Sequence, residues 1–135
     1  MRKQIKSRDA PVSRFRAIRG AVQIPLDKPE LIAIGTSALI TQLINLNDLQ
    51  PSDLISFLFT VTPDLTSELP PLVAQEAGWE EVPMLCAAEL PTRMMIPRVI
   101  RLLVHVNWRN SHREPLNVYL PGTTAVRPKQ IDRVI

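Results

Sequence analysis

Val99-Ile100-Arg101-Leu102-Leu103-Val104-His105-Val106-Asn107 sets one arginine inside a run that is otherwise mostly apolar and β-branched. Such a run predicts a buried strand. A guanidinium inside it needs a partner or a ligand, because an unpaired charge in apolar surroundings is too costly to keep. Outward from this stretch, Val82–Leu90 reads as a strand that leads to Glu89, joined to the first by a loop around Pro91 and Pro97. Leu54–Thr62, LISFLFTVT, has the aromatic and β-branched content of another buried strand. Phe15–Val22 alternates well enough to be a first strand, ended near Pro25, and Leu116–Leu120 supplies a fifth.

Two helices fill the gaps. Asp27-Lys28-Pro29-Glu30 carries the signature of a helix start, with Asp27 as cap, Pro29 in the first turn and Glu30 three residues on. That helix is expected to run to about Asn47, with Ile32, Leu39, Ile40, Leu43 and Leu46 on its buried face. Pro70-Pro71 opens a second, short helix to about Ala77, closed by Gly78-Trp79. The order β-α-β-α-β-β-β predicts an α/β (α+β) domain, a five-stranded sheet with two helices on one face. Its second face, also apolar, then needs another chain to cover it.

Composition sets the limits of function. The 135 residues are 45% apolar and 21% charged, enough for one soluble domain without a disulfide or structural metal. Cys86 is the single cysteine, and with only His105 and His112 beside it no zinc site is expected. Leu31–Asn47, the longest uncharged stretch, is read as too polar and too short for a membrane span, and Met1–Arg16 lacks the apolar core of a secretory signal. A cytoplasmic protein with no membrane or nucleic-acid partner is expected. Residues 1–14 read as a flexible basic arm and 129–135 as a tail around a domain spanning 15–128. Charge is unevenly distributed: Pro29 to Thr92 holds nine acids and neither Lys nor Arg, while arginines cluster before and after it. A fold that joins those two ends would gather positive charge for an anionic ligand. The bland alternative is solvated surface arginine.

Several fragments, in order, resemble one family. They are Arg16-Ala17-Ile18-Arg19-Gly20-Ala21, Thr62-Pro63-Asp64-Leu65, Gly78-Trp79, Val82-Pro83-Met84-Leu85-Cys86-Ala87-Ala88-Glu89, Pro97-Arg98-Val99-Ile100-Arg101, Val118-Tyr119-Leu120 and Val126-Arg127-Pro128. From Phe15 to Pro128 the chain resembles the small trimeric chorismate mutases of the AroH class. The resemblance implies a pseudo-α/β barrel formed by a homotrimer, with active sites at the subunit interfaces. It implies a cofactor-free and metal-free rearrangement of the dianion chorismate to prephenate. It also implies roles: Arg19 on a substrate carboxylate, Glu89 with Cys86 beside it at the ring hydroxyl, Arg101 at the ether oxygen. Tyr119 would bind the side-chain carboxylate and Arg127 would add positive field at the mouth. Leu69, Leu72 and Gln75 would line the substrate wall on the short helix.

The chemistry asks for these residue types independently. A dianion in a dry pocket needs fixed positive charge. A donor aimed at the ether oxygen acts on charge that develops only in the transition state. The sequence departs from the family at Leu72 and Gln75, where well-studied members carry a lysine and an arginine, and at Met94-Met95, which replace loop glycines. These departures leave two other expectations open: the same scaffold turned to another substrate, or a non-catalytic trimeric module that binds a small metabolite. His105, Trp79 and Trp108 read as structural or interfacial, and His112 as a loop residue.

Overall fold

The arginine-bearing strand Val99–Asn107 (β4) is the centre of a five-stranded mixed sheet. It pairs antiparallel with Phe15–Gln23 (β1) on one side and with Leu54–Val61 (β2) on the other. Met84–Ala88 (β3) runs parallel to β2 at one edge, and Val118–Tyr119 (β5) parallel to β1 at the other, giving the order β3-β2-β4-β1-β5. The structure, a computed structural model, describes residues 14–109 and 113–123. Arg127, His112, the expected arm before Arg14 and the expected tail lie outside the described residues.

Pro29–Leu46 (α1) and Pro70–Ala74 (α2) cover one face of this sheet. Ile18, Val22, Phe57, Phe59, Ile100, Leu102, Val104 and Val106 point to that face and form the core with Ile32, Leu39, Ile40 and Leu43 of α1. Burying each such side chain is worth about 1.5–3 kcal/mol. Gly20 lets α1 approach β1: a Cβ there would stand 2.8 Å from Leu39 Cδ1. By length and composition alone α1 could pass for a membrane span, which the sequence reading sets aside; in this fold Ile32, Leu39, Ile40 and Leu43 pack it against the sheet.

Several local expectations are corrected. Leu46 is 40% exposed, because α1 ends there and the buried Asn47 takes over the last turn. The Asn47 amide donates to Leu43 O (2.9 Å) and Leu116 O (3.0 Å), while its Oδ1 accepts from Leu116 N–H (2.8 Å). Leu116 is thereby satisfied by a side chain rather than a ladder, and β5 shrinks to two residues. β3 likewise begins only at Met84, after Pro83, and stops at Ala88. α2 gives way at Gln75 to a wider π turn over Gln75–Trp79, closed by Gly78 at φ 103. A bulge between Leu54 and Ser56 shifts the β2–β4 register by one residue.

Asp27 is not the helix cap. Lys28 holds the N-cap position without a side-chain bond, and the Asp27 carboxylate instead accepts the hydroxyls and backbone N–H groups of Thr66 and Ser67 at 2.7–3.1 Å. The Ser67 and Thr66 hydroxyl bonds lower its pKa to about 2 from 3.8. Since the folded value lies below the unfolded one, the contribution to stability is present above about pH 4 and lost as pH falls through about 2. Asp27→Asn is therefore expected to lower Tm near neutral pH, with the gap to the parent closing across that acid window in a series of thermal melts. A gap independent of pH would assign the effect to packing alone.

Candidate active site

Strand alternation sorts the sheet into two faces, and the face away from the helices carries the polar chemistry. Across it the register sets Ala87 of β3, Thr60 of β2, Arg101 of β4, Ala21 of β1 and Tyr119 of β5 in one row. The next row sets Leu58 beside Leu103 and Leu103 beside Arg19. Arg19, Leu58, Thr60, Arg101, Leu103 and Tyr119 line a pocket of about 200 Å³. Ala21, Val99 and Tyr119 close one end of it as a small buried cluster packed by Ile96.

Glu89 follows β3 by one residue, its N–H bonded to Val61 O at 2.8 Å. Its carboxylate receives Arg101 Nη1 at 2.7 and 2.8 Å and the Thr60 hydroxyl at 2.6 Å. The two side chains are only 33% and 23% exposed, so the counter-charge that the central strand demands is met by a partner itself largely withdrawn from water. Only Nη1 of Arg101 has a partner among the described residues, which leaves the Nε and Nη2 N–H groups for a ligand. The Arg19 backbone N–H is held by Asn117 Oδ1 at 2.9 Å, and Tyr119 is buried. Arg19 and Arg101 bring two guanidinium groups to the pocket, and Glu89 is bonded to the second of them.

Arg19, Arg101 and Tyr119 thus line one pocket, and Glu89 is bonded to Arg101 and Thr60 at its wall. Cys86 is not beside Glu89. It stands opposite Phe59, packs against the helix-side core, and burial there pushes its thiol pKa up. The physical reason is the period of two along β3, which turns residues three apart to opposite faces. Leu69, Leu72 and Gln75 are exposed on α2 and its continuation, on the helix side, away from this pocket. Thr60 was not singled out from the sequence, although alternation in LISFLFTV places Ser56, Leu58 and Thr60 on one face and signals a polar strand residue. His105 bonds Ser56 Oγ through Nδ1 at 3.0 Å lower on the same face. Trp79 packs edge-on to Phe57, and Trp108 is fully buried beneath the Arg113 guanidinium. Among the described residues no three His, Cys, Asp or Glu side chains are grouped to hold a metal.

Residues 15–130 match the family described as chorismate mutase type I. The chain belongs to that family. It is 38% identical to chorismate mutase AroH of Thermus thermophilus over 114 residues, covering 84% of this chain and 93% of that protein. It is 31% identical to chorismate mutase AroH of Bacillus subtilis (strain 168) over 115 residues, 84% and 91% of the two chains. A solved chorismate mutase from Clostridium thermocellum superposes with a TM-score of 0.74 at 31% identity, over 78% of this chain and 94% of that one. For this member the family's sheet is the one described above, with Arg101 at its centre.

Proposed function

We propose that this chain converts chorismate to prephenate, and the observation that carries the reading is the Arg101–Glu89–Thr60 cluster at the pocket on the sheet face away from the helices. In this reaction an ether C–O bond breaks as a new C–C bond forms within one molecule, so no electron acceptor, metal or covalent intermediate is needed. Arg101 stabilises negative charge growing on the ether oxygen, through the Nε and Nη2 donors left open by Glu89. Glu89 orients that guanidinium and accepts from the ring hydroxyl. Arg19 and Tyr119 hold carboxylates and keep the reactant in its folded, chair-like conformer, catalysis by positioning. Arg127 adds positive field from the tail of the domain spanning 15–128.

The site works in a homotrimer. One chain offers a pocket of about 200 Å³, short of the roughly 300–1,000 Å³ usual for ligand sites. Its open face also presents apolar surface, with Leu85 73% and Phe15 69% exposed beside Ile55, the mark of a surface meant for a partner. A neighbouring chain would supply the missing wall from its Cys86 edge and from Leu69, Leu72 and Gln75. The enzyme acts in the cytoplasm, where a lone reduced cysteine is ordinary, and its product enters aromatic amino-acid biosynthesis.

Three outcomes test this. Chorismate absorbance is expected to fall on adding the protein, with prephenate recovered, and light scattering at micromolar concentration is expected to give a trimer; a stable monomer would remove the composite site. Arg101→Ala is expected to lower kcat by about 10²–10³-fold, with Arg101→Lys only partly restoring it because an ammonium cannot reproduce the forked donor. The third outcome concerns the wall lacking cations. Leu72→Lys with Gln75→Arg is expected to raise kcat/KM through KM, with a gain that shrinks as salt is added. No gain at low salt would instead favour a wall rebuilt for a less anionic ligand.

A further inference from the structure

Arg98 is not a glycine, yet its φ is 53, a left-handed conformation that costs a residue with a Cβ free energy. It stands at the entry to β4, three residues before Arg101. Its backbone N–H is held by a single carboxylate. The Arg98 backbone N–H donates to both oxygens of Asp64 at 3.1 Å. Asp64 Oδ1 also accepts the Thr62 hydroxyl at 2.6 Å, and the Thr62 hydroxyl oxygen accepts the Val99 N–H at 2.9 Å. On the other side of β4, Arg98 O accepts from Ile24 N–H at 2.7 Å and Arg98 Nε donates to Ile24 O at 2.8 Å. Gln23 Nε2 donates to Pro97 O at 3.1 Å.

These bonds tie together the ends of β1, β2 and β4 on the side of the pocket. Gln23 pairs with Val99, and Thr62 N–H bonds Val99 O at 3.1 Å, so the tied residues form a row of their own. The row two residues along on the same face is Ala21–Arg101–Thr60, about 7 Å away. Both members of the site's ion pair hang from it: Arg101 directly, and Glu89 through Thr60 Oγ1 and Val61 O. Asp64 touches neither Arg101 nor the pocket. Its effect can reach the chemistry only by fixing where β4 begins.

We infer that Asp64 is a positioning residue for Arg101: by holding Arg98 in its left-handed turn and Thr62 against Val99, it sets the placement of the Arg101 guanidinium against the substrate's ether oxygen. The inference rests on the function proposed above. If Asp64 is lost, Arg98 relaxes toward ordinary φ, the entry of β4 shifts, and the guanidinium is displaced from Glu89. An interaction made chiefly in the transition state is then weakened, which lowers kcat more than it raises KM.

The test compares the parent with Asp64→Ala and with Asp64→Asn, whose amide oxygen keeps one acceptor. Asp64→Ala is expected to lose about 10-fold or more in kcat, with KM changed by less than about threefold. Asp64→Asn is expected to lose about threefold in kcat, which keeps the comparison readable if the alanine variant does not fold. Crystal structures of the variants are expected to show Arg101 moved by about 1 Å from its Glu89 contact, since shifts of that size are enough to cost rate. A folded variant with parental kcat and an unmoved Arg101–Glu89 pair overturns the inference, even if its Tm is lower. So does a loss confined to KM. If the parent itself does not turn over chorismate, the proposed function falls, and the displacement of Arg101 in the crystals alone decides the positioning role.

Discussion

A guanidinium on the central strand of a sheet has only two directions in which to point, and the packing of this fold closes one of them. The helix-side face of β4 is filled by Ile100, Leu102, Val104 and Val106 against α1 and the neighbouring strands. Arg101 must use the other face, and a charge two-thirds withdrawn from water there needs a counter-charge close by. Glu89 meets that need from across two strands, and Thr60 lies between them with its hydroxyl on the carboxylate. One ion pair therefore gathers β4, β2 and the residue that follows β3 on the face away from the helices, the face that can receive an anion.

The distribution of charge along the chain acquires a spatial meaning from strand order. The cation-free span from Pro29 to Thr92 builds α1, β2, α2 and β3, while Arg19 and Arg101 come from β1 and β4, on either side of that span. Because β1 and β4 are adjacent antiparallel partners, two arginines distant in sequence stand in neighbouring rows. That pairing brings Arg19 and Arg101 to one face of the sheet. Among the acids of the span, Asp64 holds a loop, Asp53 accepts from Arg109 and Glu89 bonds Arg101; Asp27, just before the span, holds another loop.

Polar side chains that look local in sequence turn out to fasten distant segments. Asp27 reads as a cap but holds residues 66 and 67; Asn47 reads as the end of a helix but satisfies Leu116; Asp64, just past β2, holds Arg98. Each replaces a regular backbone ladder at a place where the chain leaves its strand or helix. Buried or half-buried backbone groups must be paired wherever they occur, and these three side chains do that pairing where secondary structure stops.

What the sequence determined by itself was the set of elements and the one strand charge that needed a partner. Alternation and β-branched runs marked the strands, capping and proline signals marked the two helices, and the cost of an unpartnered charge singled out Arg101, while the family resemblance added Glu89. Boundaries were less legible where a side chain rather than a ladder satisfied the backbone, as at Leu116 and Asp27. Only the tertiary structure decided which residues share a face. Cys86 and Glu89 are three apart on one short segment, and Thr60 and Glu89 are 29 apart, yet the strand alternation separates the first pair and the parallel β2–β3 register joins the second. Register is a property of two strands at once, and a side chain's neighbours across a sheet depend on which strands pair, in which direction and in what order.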